Sequence, residues 1–238
     1  MMPHQLNWQE ICQMIPKRKA DAQKGDFGRL LCITGSRNMP GACLLSTQAA
    51  LRGGAGLVTV ATAPENPMRL AAAAPEAMWL PLETDEAGFL RSSDQNRKTL
   101  EKQLSRANAV LLGCGLGVTE ETRRLVHWVL EQAVCPVVLD ADGLNCAVSC
   151  IELSRRTGKD WILTPHPGEM ARLTGHSIPQ IQENRVETAT QFAAAYPVTL
   201  ALKGAGTLVA QRSRLAQNPT GNPGMSRGGS GDVLAGLI

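Results

Sequence analysis

The chain has 238 residues, 43% of them hydrophobic and 19% charged, which provides core material for one large α/β domain and excludes a disordered, charge-solvated chain. Its formal net charge is only +3 and no long block of lysine or arginine occurs, so nucleic-acid or membrane-surface binding has no electrostatic support. No apolar run has the make-up of a signal peptide or a transmembrane span, which points to a cytoplasmic protein. The cysteines (Cys12, Cys32, Cys43, Cys114, Cys135, Cys146, Cys150) are odd in number, lie mostly in apolar runs and lack paired zinc spacing. They read as buried, reduced thiols.

In chain order, Asn7 caps a short helix over 8–15, with Glu10 placed to close a capping box. Residues 28–34 form a buried strand, 42–52 an Ala/Leu-rich helix, and 57–61 a second strand after Gly53, Gly54 and Gly56. This is a βαβ unit, hence a parallel pair with a right-handed crossover. From Pro64 to Leu104 proline, alanine and charge are mixed, and only a helix over 94–104 is predicted. A strand over 109–112 runs into Gly113-Cys114-Gly115-Leu116-Gly117, followed by a helix over 120–132. A strand over 136–139 ends at Asp140-Ala141-Asp142, and one over 161–164 ends at Pro165-His166-Pro167-Gly168-Glu169. Ser177 caps a single helix reaching Tyr196. A strand over 198–202 ends at Lys203-Gly204-Ala205-Gly206-Thr207, and 208–210 with 214–217 forms a hairpin. Glycine, acid, histidine or lysine follows nearly every strand. In an open parallel sheet these positions share one edge, where ligands bind.

The stretch richest in chemistry is Gly228-Gly229-Ser230-Gly231-Asp232, leading into an apolar helix. Glycines expose successive backbone N–H groups, and a helix start adds unpaired donors and a positive dipole end, the recipe for a phosphate site. A carboxylate there repels phosphate unless it has another task, such as taking a proton from a hydroxyl that attacks phosphorus. The plainer alternative is a flexible turn with Asp232 as a capping acid. The other motifs carry alternatives too. Gly113–Gly117 has the wrong spacing for a dinucleotide fingerprint and serves either close ligand approach or a tight turn. Asp140 and Asp142 hold Mg²⁺ through water or cap a helix. His166 is a ligand or a structural hydrogen-bonder, and Glu169 reaches Mg²⁺-bound water or favours a helix start. Lys203 grips a polyphosphate with the following turn or is simply solvated.

Taken together, Lys24–Arg29, Asn38–Ala42, Leu51–Val58, Leu139–Asp142, Thr164–Glu169, Lys203–Thr207 and Asn218–Met225 resemble the NAD(P)H-hydrate dehydratase family of the ribokinase-like superfamily. The likeness runs from about Lys24 to the end of the chain. It implies a single ribokinase-like α/β domain over 1–238, a central mostly parallel sheet with helices on both faces. It also implies ADP-dependent dehydration of the S epimer of hydrated NADH or NADPH, giving the intact dinucleotide, AMP and phosphate, with Mg²⁺ neutralising the phosphates. By the resemblance Asp232 is the catalytic base. Ala42, Gly117, His166 and Asp232 contact the damaged dinucleotide, and Lys203, Gly204, Ala205, Gly206, Thr207, Gly228, Gly229 and Gly231 contact the adenine nucleotide. An NAD(P)H-hydrate epimerase is the implied functional partner, and a homo-oligomer the expected assembly. The chain departs from the family pattern at Ser226-Arg227 and at Cys114, Gly143 and Thr34, where proline, alanine and glycine are usual. It also stops at Ile238, within a helix that the family continues, so truncation is expected. The alternatives are a small-molecule kinase of the same superfamily, which releases a stable phosphorylated product, and a non-catalytic nucleotide sensor indifferent to Asp232→Asn.

Overall fold

Alternation of side chains along buried strands sets the architecture. The computed structural model describes residues 2–158 and 160–238. In chain order its elements are β1 (His4–Gln5), α1 (Trp8–Met14), β2 (Arg29–Ile33), α2 (Pro40–Gly53), β3 (Leu57–Thr62), α3 (Asn66–Leu70), β4 (Met78–Pro81) and α4 (Asp94–Leu104). There follow β5 (Ala109–Leu112), α5 (Glu120–Gln132), β6 (Val137–Leu139), α6 (Asp142–Ala147), α7 (Leu153–Thr157), β7 (Trp161–Leu163) and α8 (Pro167–Thr174). The chain ends with α9 (Ile178–Glu183), α10 (Arg185–Ala195), β8 (Val198–Leu202), β9 (Leu208–Gln211), β10 (Arg214–Gln217) and α11 (Ser230–Leu237).

Successive residues of a strand point to opposite faces. Accordingly Leu31, Ile33, Val110, Leu112, Val137 and Leu139 pack on one face with α4, α5 and α10, through Leu100, Leu104, Leu125, Val129 and Phe192. The intervening Cys32, Leu111 and Val138 pack on the other face with α2 and α11, through Ala42, Cys43, Ala50 and Ala235. Both faces are covered, and that is why these strands read as unbroken apolar runs.

The ten strands of the described residues lie in the order β1-β10-β9-β8-β7-β6-β5-β2-β3-β4. From β8 to β4 every pairing is parallel, whereas β9 is antiparallel to both β8 and β10. The chain winds outward from β2 through β3 to β4, then returns to the other side of β2 and winds through β5 to β8. The reversal lies between β2 and β5, and a crevice opens at the carboxyl ends of strands where the winding direction changes.

The α/β fold with helices on both faces is as the sequence led us to expect, and so are the Asn7–Glu10 capping box, the β2–α2–β3 unit and the β9–β10 hairpin. Three features differ. The helix expected from Ser177 to Tyr196 is two helices, because Asn184 leaves helical backbone (φ −122°, ψ 38°) and serves as both the C-cap of α9 and the N-cap of α10. Within 64–104, α3 and the edge strand β4 form where no regular element was predicted; Pro67 sits in the first turn of α3, where its missing N–H costs nothing. The two-residue strand β1 pairs with β10 and has no apolar pattern to announce it. Six cysteines are buried as expected, while Cys12, on α1, is exposed.

Candidate active site

The site begins with two loops held together at the reversal point. The Gly35 and Ser36 amides donate to the Cys114 and Gly115 carbonyls at 2.8 and 2.7 Å, tying the segment after β2 to the segment after β5. Ala42, in the first turn of α2, is buried against Gly115, where an added Cβ would stand 2.9 Å from the Ala42 Cβ. The Gly117 amide donates to Asp142 Oδ2 at 2.8 Å, and Phe89 fills the space where a side chain would begin. Asp142 therefore ties the β5 loop to α6, in whose first turn it sits; it does not cap that helix, whose N-cap is Ala141, because its carboxylate is turned to the Gly117 amide instead.

Next along the edge are the ends of β6, β7 and β8. Asp140 is buried. Its Oδ1 accepts from Thr164 Oγ1 at 2.7 Å and from Lys203 Nζ at 2.6 Å, so one carboxylate joins three adjacent strand ends. Glu169 Oε2 stands 3.8 Å from the same ammonium and accepts the His166 N–H at 2.7 Å. Burial pushes the Glu169 carboxyl above its ordinary value, with Lys203 pulling the other way. Lys203 is thus not the solvated lysine of the plainer reading: its side chain is 19% exposed and already paired. His166 is the N-cap of α8, its Nδ1 accepting from the Gly168 and Glu169 amides at 2.9 and 3.3 Å, and the ring stays half-exposed. The structural and ligand readings of His166 are therefore compatible.

Above this edge stands the start of α11. Its N-cap is Gly229 (φ 90°), which has no side chain to cover the first-turn amides. Gly231 lies directly over the ion pair: an ideal Cβ there would be 3.4 Å from Lys203 Nζ and 3.5 Å from Asp140 Oδ2. Cys114 Sγ and carboxylate oxygens of Asp140 and Asp232 all lie within 4.8 Å of one another. The Asp232 carboxyl is raised above its ordinary value by burial, and further by the charges of Asp140 and Asp142, against the hydrogen bond from Cys114 and the pull of Lys203. Burial, aided by the Asp140 charge, pushes the Cys114 thiol well up, so it stands as a neutral donor.

Lys203, Gly231, Asp232 and Cys114 of the Gly113–Gly117 loop therefore converge on one point; Ala42 is buried behind that loop at Gly115, and His166 adjoins the point through Glu169. Gly204 and Ala205 form the exposed part of the Lys203–Thr207 turn, closed by a Thr207 Oγ1 bond to the Gly204 carbonyl. Gly228 is exposed on the approach to α11. Sequence reasoning missed the Asp140–Lys203 pair and the Cys114–Asp232 contact. Each of Asp140, Lys203 and Cys114 sits just after a strand, but which strands are neighbours is a property of sheet order.

The site also fits a divalent cation. Three carboxylates (Asp140, Glu169, Asp232) face one ammonium, so a polyphosphate entering here needs further positive charge. Asp140 Oδ2, not used by Lys203, is the hard oxygen donor that Mg²⁺ prefers, whereas a protonated Cys114 is not a ligand.

The doubly wound, mostly parallel sheet with helices on both faces is a fold of the ribokinase-like class. Within it, the chain belongs to the NAD(P)H-hydrate dehydratase family, which matches residues 30–238. It is 40% identical over 234 residues to the bifunctional NAD(P)H-hydrate repair enzyme Nnr of Coxiella burnetii, covering 98% of this chain and 44% of that one. It is 35% identical over 226 residues to the ADP-dependent (S)-NAD(P)H-hydrate dehydratase of Bacillus subtilis, covering 94% and 75%. Among solved structures, the ADP/ATP-dependent NAD(P)H-hydrate dehydratase of B. subtilis, co-crystallised with ATP/Mg²⁺, superposes with a TM-score of 0.81 at 31% identity, covering 99% of this chain and 79% of that one. The chain spans less than half the length of the bifunctional relatives it matches.

Proposed function

We propose that this chain is an ADP-dependent dehydratase that restores NADH or NADPH from the S epimer of its hydrate, releasing AMP and phosphate, and that Asp232 is its base. The observation that carries this reading is the position of Asp232, half-buried at the start of α11 and within 4.8 Å of the Asp140 carboxylate that Lys203 grips. Family membership and the B. subtilis relative's printed activity support the same reaction.

The chemistry follows from the difficulty of expelling hydroxide from the saturated, hydroxyl-bearing carbon of the hydrated ring. Asp232 accepts the proton of the substrate hydroxyl as that oxygen forms a bond to the terminal phosphorus of ADP. The phosphorus–oxygen bond to AMP breaks, and AMP leaves with its electron pair. The ring nitrogen then pushes out phosphate, a far better leaving group than hydroxide, and loss of a neighbouring ring proton restores the double bond. The amides of Gly228, Gly229 and Gly231 face the charge developing on phosphorus, an effect worth about 3 kcal/mol per donor where it has been measured. Lys203 with Gly204–Thr207 holds the nucleotide, and Ala42, Gly117 and His166 line the dinucleotide side. Bound Mg²⁺ supplies phosphate charge neutralisation, and Asp140 would hold it through Oδ2.

The bifunctional relatives support an NAD(P)H-hydrate epimerase as the partner that delivers the S epimer. Buried thiols fit a reducing cytoplasm, and no described helix is long and apolar enough to cross a membrane. We also carry forward a homo-oligomer and a single domain over 1–238, to be tested by light scattering and limited proteolysis. The reaction itself is tested with chemically hydrated NADH, Mg²⁺ and ADP. Recovery of reduced-nicotinamide absorbance with stoichiometric AMP supports the reading. A stable phosphorylated dinucleotide would instead make the chain a kinase.

A further inference from the structure

The break between α9 and α10 aims one side chain at the back of the nucleotide turn. Arg185, the first residue of α10, donates from Nη1 to the Lys203 carbonyl at 3.2 Å and from Nη2 to the carbonyls of Leu202 at 3.2 Å and Gly206 at 3.4 Å. Gly204 is the residue that admits it: with φ at +149°, an added Cβ would stand 2.4 Å from Nη1. The guanidinium is partly buried and pairs with no carboxylate among the described residues. The Lys203 carbonyl shares its peptide with the Gly204 N–H, which, like the neighbouring Ala205 and Gly206 amides, donates to no acceptor among the described residues, whereas the Lys203 N–H donates to the Pro165 carbonyl at 2.9 Å. Withdrawing a cation from water is costly without a counter-charge, and three carbonyl dipoles return only part of that cost. An anion seated on the amides completes the balance. The bond to the Lys203 carbonyl also polarises its peptide and strengthens the Gly204 N–H as a donor.

We propose that Arg185 is a positioning residue for the adenine nucleotide: it locks the Leu202, Lys203 and Gly206 carbonyls so that the Gly204–Gly206 amides stay aimed at phosphate, and it backs them with positive charge. This rests on reading the Lys203–Thr207 turn as the nucleotide site. It favours arginine, since two nitrogens of a planar guanidinium reach carbonyls that the single nitrogen of a lysine ammonium would have to share.

The test compares wild type, Arg185→Lys and Arg185→Met by calorimetric titration with Mg·ADP alone and by steady-state repair of hydrated NADH. Arg185→Met is expected to weaken ADP binding and raise the ADP KM at least tenfold, about 1.4 kcal/mol, while the KM for the hydrated dinucleotide stays within twofold. Arg185→Lys is expected to fall between the two. Unchanged ADP affinity, an equal loss for both substrates, or failure of both variants to fold by circular dichroism would each overturn the proposal, the last two by making Arg185 a general brace. Wild type that neither binds ADP nor repairs the hydrate would overturn the underlying reading instead.

Discussion

Asp232 keeps a carboxylate half-buried beside a second carboxylate, a costly arrangement unless the charge is used. The upward displacement of its pKa has two measurable consequences. A base must be ionised, so the acid limb of kcat/KM is expected above the ordinary aspartate value of 3.8, and an acid limb at or below it would contradict the assignment. A carboxyl whose pKa is raised by folding adds stability only while protonated and loses it as pH rises through the folded value. At pH 7, without added Mg²⁺, Asp232→Asn is therefore expected to melt higher than wild type, by about 2 °C or more, the gap closing towards low pH in thermal scans. The same variant should lose at least about 100-fold in turnover while still binding Mg·ADP. Stability gained together with activity lost separates a catalytic carboxylate from a capping one, whose removal lowers stability. Asp232 was legible in the sequence because glycines and a helix start announce themselves locally. The Cys114 donor beside it was not, because that contact joins residues 118 positions apart in the chain (232 − 114).

At the scale of elements, two contacts hold the site in register. Gly236 lets α11 lie against α2, since a Cβ there would stand 2.2 Å from the Ser46 carbonyl oxygen and 2.9 Å from the Ala49 Cβ. Gly236→Ala is expected to cost about 1–3 kcal/mol in urea unfolding and to lower kcat, because pushing α11 outward carries Asp232 with it. Asp140 ties β6, β7 and β8 through Thr164 and Lys203. Asp140→Ala strands a partly buried ammonium and should destabilise the protein by about 3 kcal/mol, read from the same denaturant curves. If Asp140→Ala kept wild-type stability, the pair would be ornamental. Element type was readable wherever a period ran undisturbed, as in α5 and β8, whose bounds match the expectation. It failed at Asn184, where one residue ends α9 and begins α10 without a glycine or proline to mark the break. It failed again at α3 and β4, which are too short to build a period: β4 is fixed by pairing with β3, and α3 by packing on α2 and β4.

Across the whole molecule, the winding reversal between β2 and β5 decides where chemistry can happen. It gathers residues from the segments after β2, β5, β6, β7 and β8 at one crevice, onto which α11 closes. That these residues share an edge followed from strand–helix alternation alone; which of them touch did not. The distribution of cysteines gives a global check. Cys12 is exposed and the other six are buried, so Ellman's reagent should titrate one thiol quickly in the native protein and the remaining six only on unfolding. Rapid reaction of several thiols would mean the two core layers are not closed as described. The most direct measurement of the central claim is repair of hydrated NADH by wild type and Asp232→Asn, in parallel with Mg·ADP binding by both. The account expects wild type to regenerate NADH with one AMP per turnover, and the variant to bind Mg·ADP with comparable affinity while regenerating almost none. Equal regeneration by both proteins would contradict it.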